Sequence, residues 1–231
     1  MMHTRFRIKI CGLKSVAETE HALASGADAI GFNFYRGSRR FVPQETAAAC
    51  CRMVADRAFT VGVFVNDPPE AVTAVCEAVG CHAIQLHGDE SLATFAPPIQ
   101  GKRWHVIRAL RLDATDEAIA QRAKSLADEW HAAGCTILLD AVPPANAPQA
   151  YGGTGQTLPW EKLRGSIQHP WILAGGLRPD NVAEAIQRAH PAGVDVASGV
   201  EGADGTKSPE KIRQFVAAAR QAFASQGVQL F

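Results

Sequence analysis

Three side chains able to move protons stand where the chain leaves an apolar run: Cys11, His87 and Asp140. Cys11 follows the run 6–10, precedes Gly12 and lies two residues after Lys9. A free thiol titrates near about 8.5, so a modest downward shift beside a cation makes a base that works at neutral pH. Asp140 ends the run Thr136 to Leu139. A carboxyl group there donates a proton only if partial burial or nearby negative charge keeps it protonated, and a substrate carboxylate or phosphate supplies such charge. His87, between Leu86 and Gly88, serves equally as a base or as a hydrogen-bonding group. The plain structural alternatives are a buried thiol at Cys11 and a loop-bracing or helix-capping carboxylate at Asp140.

Three glycine-rich segments suggest an anion site: Gly152 to Gly155 (with Gly153 and Gly155), Gly175-Gly176 and Ser198-Gly199. Glycine lets backbone N–H groups come close to an anion, and a following helix terminus adds partial positive charge. Each segment alone reads equally well as a tight turn. None matches a nucleotide fingerprint, and the segment at Gly152 lacks the Gly-Lys-Ser/Thr ending of a P-loop, so neither ATP nor NAD is expected. The six cysteines show no Cys-x-x-Cys spacing and no His-Glu-x-x-His occurs, so neither a metal nor a cofactor is expected. Apart from Cys11, the cysteines read as small hydrophobes in a reducing compartment.

The elements that must position these residues repeat one unit: a short β-rich run, a turn, then an apolar stripe at helical spacing. Strands are predicted at 6–10, 28–32, 60–65, 83–86, 104–109, 136–139, 171–174 and 194–197. Helices follow at about 15–25, after Pro43, and after Pro68-Pro69, where Val72, Val75, Cys76 and Val79 form one face. A longer helix stripes Ile119, Ala123, Leu126 and Trp130, with Trp130 read as core filling, and the closing helix stripes Ile212, Phe215, Val216 and Ala219. Short apolar strands separated by helices indicate a parallel sheet covered on its outer face. Eight such units predict an α/β (β/α)8 TIM barrel forming a single domain over residues 1–231. A doubly wound open sheet is the alternative, because periodicity does not report closure. In a barrel, chemistry belongs where strands end, and Cys11, Asn33, the 36–40 arginine cluster, Asn66, His87, Asp140, Gly175-Gly176 and Ser198-Gly199 all fall there.

The chain has 231 residues, with 23 basic side chains balancing 23 acidic ones. No basic face is advertised, so neither nucleic acid nor an anionic membrane is expected as a partner. No apolar run approaches the roughly 18 residues of a membrane span, and residues 1–5 carry no signal-like region. The expected location is cytoplasmic. A barrel of this length closes its own core, so a monomer or a weak homodimer is expected.

The ordered motifs strongly resemble the phosphoribosylanthranilate isomerase family. The resemblance spans about residues 7 to 220 and is carried by KICG (9–12), GADAIGF (26–32), SRRFV (38–42), VGVFVN (61–66) and QLHG (85–88). It continues through LLD (138–140), YGGTG (151–155), AGGL (174–177) and VDVASGVE (194–201). The resemblance implies a (β/α)8 barrel and a cofactor-free Amadori rearrangement in tryptophan biosynthesis. That reaction converts N-(5-phosphoribosyl)anthranilate to 1-(2-carboxyphenylamino)-1-deoxyribulose 5-phosphate. It also implies Cys11 as general base, Asp140 as general acid, Arg40 at the anthranilate carboxylate, and phosphate loops at Gly153 to Gly155, Gly175-Gly176 and Ser198-Gly199. The expected order is a lowered pKa for the thiol and a raised one for the acid, with Lys9 either holding a thiolate or lying too deep to do so. The chain departs from common family forms at Leu158-Pro159-Trp160, at Ala197, and in a Pro-rich passage at 142–148. Competing readings are another phosphosugar barrel enzyme, which would favour a metal or paired-Asp site, and a non-catalytic sugar-phosphate binder, which would need neither Cys11 nor Asp140.

Overall fold

Each apolar run is buried on both faces, so each needs a partner on both edges, and the chain meets that demand by closing the sheet on itself. The computed structural model describes residues 6–95, 101, 104–142 and 156–226. Its strands are β1 (Ile8–Cys11), β2 (Ala29–Asn33), β3 (Phe59–Phe64), β4 (Ala83–Leu86), β5 (His105–Leu112), β6 (Thr136–Ala141), β7 (Trp171–Leu173) and β8 (Gly193–Val196). All pair in parallel in chain order, and β1 pairs with β8, which completes a closed barrel. That pairing removes the open-sheet alternative.

The helices are α1 (Val16–Ala24), α2 (Gln44–Val54), α3 (Pro69–Val79), a helical turn α4 (92–95), α5 (Ile119–Ala132), α6 (Trp160–Leu163), α7 (Val182–Ala189) and α8 (Pro209–Ser225). Local chemistry explains several of their ends. Ser15 caps α1 by accepting from the Glu18 N–H, and Ser208 caps α8 by accepting from Lys211. Proline opens α3 and α8, where its missing N–H costs nothing, and Gly80 ends α3 in the left-handed region at φ 82°. Among the described residues, no helix is long and apolar enough to cross a membrane.

Side-chain alternation divides the strands into two sets. Outward residues such as Ile10, Ile30, Phe32, Ile84, Ile137, Leu139 and Leu173 pack under the helices. Inward residues Ala29, Val61, Ala83, Ile107, Ala109, Leu138, Ile172 and Ala174 fill the barrel. Trp130 is core, as expected, at 4% exposure, with the Arg108 guanidinium 4.9 Å from its ring centroid. One ionic pair interrupts the apolar filling. Lys9 and Asp195 are register partners on β1 and β8, and Lys9 Nζ donates to both carboxylate oxygens at 3.0 Å. Buried opposite charges of this kind are tolerated because each satisfies the other directly.

Candidate active site

The inward alternation that fills the barrel also aims its last side chains into one cavity at the C-terminal end of the strands. Cys11 reaches it from β1, Asn33 from β2, Gln85 and His87 from β4 and its following loop, and Asp140 from β6. Arg40, Gly175, Gly176 and Ser198 complete the wall from the loops after β2, β7 and β8. The sequence-predicted residues are therefore largely brought together. Gly199 is the exception, since it does not line the cavity. A Cβ there would lie 1.8 Å from the Leu177 carbonyl oxygen, so its glycine permits two loops to touch. Gly153 and Gly155 lie outside the described residues.

Cys11 owes its place to the residue beside it. Its register partner on β2 is Gly31, and a Cβ at that position would stand 2.6 Å from Cys11 Sγ and 3.1 Å from Lys9 Cε. The missing side chain is the space that the thiol and the lysine stem share. The thiol is buried, and its pKa lies above the ordinary thiol value, opposite to the downward shift expected from sequence. Burial pushes it up; the Lys9 ammonium pulls it down, and the charge of Asp195 pushes it up again. Lys9 does stand at the thiol, but its charge is shared with Asp195. The Lys9 pKa is itself raised, because the attraction of Asp195 and Cys11 outweighs its burial.

Asp140 is held from the opposite side of the mouth. His87 Nε2 lies 3.1 Å from Asp140 Oδ2, and His87 Nδ1 lies 3.0 Å from Gln85 Nε2. Gly175, at φ +81°, makes room for the carboxyl group, since a Cβ there would fall 2.9 Å from Asp140 Oδ1 and 2.8 Å from the Ala141 nitrogen. The loop carrying His87 is pinned by a buried network that sequence reasoning missed. Glu90 accepts from the backbone N–H groups of Asn66 (2.9 Å) and Gly88 (2.9 and 3.1 Å) and pairs with Arg108, while Arg108 Nη2 donates to the Gly88 carbonyl at 3.1 Å. A glutamate two residues after a strand-end glycine was the available signal, but its partner sits 18 positions away.

Arg40 was expected to offer its planar fork to a carboxylate, and the structure shows one edge of that fork already engaged. Nε and Nη2 meet Glu201 at 2.5 and 3.1 Å. Glu201 also accepts from Arg39 at 2.9 Å and from Lys207 at 3.0 Å. A guanidinium has a second edge, formed by its two terminal nitrogens, and Arg40 lines the cavity. Burial would raise the Glu201 carboxyl, but its bond to Arg40 and the charges of Lys207 and Arg40 hold it below the usual range. Burial depresses the Lys207 ammonium. Three cations around one carboxylate leave this side of the mouth positive, which suits an anionic ligand.

The match to known proteins is continuous over this framework. The family model described as N-(5'phosphoribosyl)anthranilate (PRA) isomerase matches residues 8–218. An N-(5'-phosphoribosyl)anthranilate isomerase from Myxococcus xanthus is 40% identical over 218 residues, covering 93% of this chain and 96% of that one. The crystal structure of phosphoribosyl anthranilate isomerase from Thermotoga maritima superposes with a TM-score of 0.79 at 35% identity, covering 94% of this chain and 99% of that one. A phosphoribosyl anthranilate isomerase in complex with reduced 1-(o-carboxyphenylamino)-1-deoxyribulose 5-phosphate gives a TM-score of 0.76 at 32% identity, with the same coverage. With its eight-stranded barrel, a cavity walled by a thiol, a carboxyl group and an arginine, and a model match over nearly its whole length, the chain belongs to the N-(5'-phosphoribosyl)anthranilate isomerase family.

Proposed function

We propose that this chain performs the Amadori rearrangement of N-(5'-phosphoribosyl)anthranilate to 1-(2-carboxyphenylamino)-1-deoxyribulose 5-phosphate in tryptophan biosynthesis, with Asp140 as general acid and Cys11 as general base. The observation that carries this division of labour is that the two groups enter one cavity from β6 and β1, on separate sides of the mouth. Asp140 protonates the furanose ring oxygen as its bond to C1 breaks, the electron pair going to oxygen and leaving an iminium at C1. Cys11 then removes the proton from C2, giving an enolamine. Protonation of C1 by the thiol and loss of the C2 hydroxyl proton to Asp140 yield the ketone, so Asp140 gives up and regains one proton per turnover while Cys11 takes one up and returns one.

The raised pKa of the enclosed thiol is compatible with this order of events. Cys11 acts as the thiolate from the start of each turnover, a form that burial disfavours and the Lys9 ammonium beside it favours. The anthranilate carboxylate meets the open edge of Arg40, where bidentate hydrogen bonding is strong and geometrically selective. The phosphate sits at the 153–155 segment, Gly175-Gly176 and Ser198, with Gly199 keeping the last turn tight. Being remote from the reacting atoms, it supplies binding energy and orientation. The residues so assigned all belong to one chain, so a cytoplasmic monomer suffices and a weak homodimer adds nothing to the chemistry. No cofactor is required.

Steady-state turnover followed by loss of substrate fluorescence tests the assignment. Positioned proton transfer contributes about 10²- to 10⁴-fold, so Cys11→Ala, Cys11→Ser and Asp140→Asn should each lower kcat by at least about 100-fold while circular dichroism shows an intact fold. Near-normal turnover in folded Cys11→Ala would remove the thiol from its role. Intact phosphate binding with no turnover in the unaltered protein would favour a non-catalytic binder instead.

A further inference from the structure

Arg40 reaches the cavity from the loop between β2 and α2, and that loop is folded around one residue, Asn33, at the end of β2. The Asn33 main chain ties the two ends of the loop together. Its carbonyl accepts from the Val42 N–H at 3.0 Å, and it forms an isolated parallel bridge with Phe41. The Asn33 side chain braces the interior: Oδ1 accepts from the Tyr35 N–H at 2.9 Å, and Nδ2 donates to Ser38 Oγ at 3.3 Å. Ser38 Oγ in turn accepts from the Arg40 N–H at 3.1 Å, the bond a serine makes to backbone two residues on.

The direction of each bond in this chain is dictated by its donors. A main-chain N–H only donates, so the amide oxygen of Asn33 is the atom that faces Tyr35, and the NH2 group is left for Ser38. The Ser38 oxygen receives two such donors, which occupy both of its lone pairs. No titratable group takes part before Arg40 itself. The far end of the loop shows why this matters. Glu201 accepts from Arg40 and also from the adjacent Arg39, at 2.9 Å, so the carboxylate does not by itself choose between them. Yet the Arg40 side chain is 8% exposed and lines the cavity, whereas that of Arg39 is 65% exposed and does not. The Arg40 stem lies against Gly12, where a Cβ would fall 2.6 Å from Arg40 Cδ. The main chain at residue 40 therefore has to sit at one place for its side chain to enter.

We propose that Asn33 and Ser38 are positioning residues that set the register of the paired arginines, so that Arg40 rather than Arg39 is presented to the substrate carboxylate. The inference rests on the assignment of Arg40 to that carboxylate. Asn33 orients the Ser38 hydroxyl, and the hydroxyl holds the Arg40 N–H. Glu201 then grips the guanidinium that the main chain has delivered. Neither Asn33 nor Ser38 needs to touch the substrate for this, and both act through the same bond.

Selectivity for the carboxylate separates this role from a general weakening of the loop. The quantity to measure is kcat/KM for the anthranilate substrate divided by kcat/KM for its aniline counterpart, which lacks the carboxylate. Loss of one hydrogen bond costs about 5- to 10-fold, so Asn33→Leu and Ser38→Ala should each lower this ratio by about that factor, through KM more than kcat. Ser38→Thr keeps the hydroxyl and should retain most of the ratio. Because the two residues share one bond, the double variant should lose no more than about twice what the worse single variant loses, rather than the product of the two. In an Arg40→Lys background Ser38→Ala should change the ratio little further. An unchanged ratio, equal losses on both substrates, or losses that multiply in the double variant would overturn the proposal. If Asn33→Leu fails to fold, the half-buried Ser38 decides the matter through Ser38→Ala against Ser38→Thr. Equal losses on both substrates in Arg40→Lys would sink the assignment of Arg40, and this inference with it. A selective loss there with an unmoved ratio in Ser38→Ala would sink this inference alone.

Discussion

Gly31→Ala adds one methyl group at the most crowded point beside the proposed base. The new Cβ would begin 2.6 Å from Cys11 Sγ and 3.1 Å from both Cys11 Cα and Lys9 Cε. Ordinary contacts between such atoms lie at about 3.5 to 4.0 Å, so the thiol or a strand must yield by about 1 Å. The backbone of β1 is fixed by its ladders to β2 and β8, and the Lys9 ammonium is fixed by Asp195. The thiol is therefore the part that moves. Overpacking of a filled interior costs about 1–3 kcal/mol, which corresponds to a fall in Tm of roughly 2–12 °C for a chain of this size. A 1 Å misplacement of a reacting group costs on the order of 100-fold in rate. Gly31→Ala should thus lower kcat by about two orders of magnitude while remaining folded at 25 °C, with KM changed far less because the methyl group lies away from Arg40 and the glycine loops. Calorimetry and steady-state turnover measure the two effects separately. A variant with kcat within about threefold of the parent would show that the thiol either is not displaced or does not act on substrate.

Asp195→Asn removes the neighbouring charge that helps push the Cys11 thiol up. A lower pKa leaves the base unprotonated at lower pH, so the acidic limb of kcat/KM should move to lower pH; a limb that moves upward would refute the electrostatic account. The same substitution leaves the Lys9 ammonium buried without its partner, and chemical denaturation should show a loss of about 3–5 kcal/mol. Arg40→Lys keeps the charge but cannot span Glu201 and a ligand at once, and should cost about 10- to 100-fold in kcat/KM. The loss should shrink for a substrate lacking the carboxylate, and equal losses for both substrates would argue against direct contact. Away from the site, His169 stacks on His131 with ring centroids 3.8 Å apart, and burial, then His131, hold its pKa below the ordinary value despite its bond to Asp128. The unfolded chain therefore binds this proton more readily, so its stability contribution is complete above about pH 6.5 and fades as pH falls below it. His131→Gln, which leaves Lys124 and Asp128 in place, should flatten the fall in Tm over that acidic range, and an unchanged slope would show that the stack does not matter.

Much of this molecule is written in short-range pattern. Alternating β-rich runs and helical stripes located all eight strands to within a few residues, because burial on both faces demands near-continuous apolar sequence. Pro68-Pro69 marked the start of α3, since the first turn needs no N–H there. Cys11 and Asp140 were legible because a reactive polar residue at the end of an apolar run has few structural reasons to be there, and the barrel pattern sends such ends to one face. The length of β5 was underestimated: it runs to Leu112 because β6 continues alongside it to Ala141, and a strand's end is set by its partner.

What the tertiary structure decided is every pairing between distant positions. Lys9 meets Asp195 across 186 residues, Arg40 meets Glu201 across 161, and His87 meets Asp140 across 53. Burial in the closed barrel, more than these contacts, reverses the expected direction of the Cys11 shift, while the contacts occupy half of the Arg40 fork and set His87 against the acid. Closure itself belongs to the same class, since an open sheet and a barrel share one periodicity and differ only in whether β1 finds β8. Periodicity reports which side of a strand is buried, a local property of the chain. A proton's affinity and a guanidinium's free edge depend on the charges and surfaces brought beside them, and those neighbours exist only once the barrel has closed.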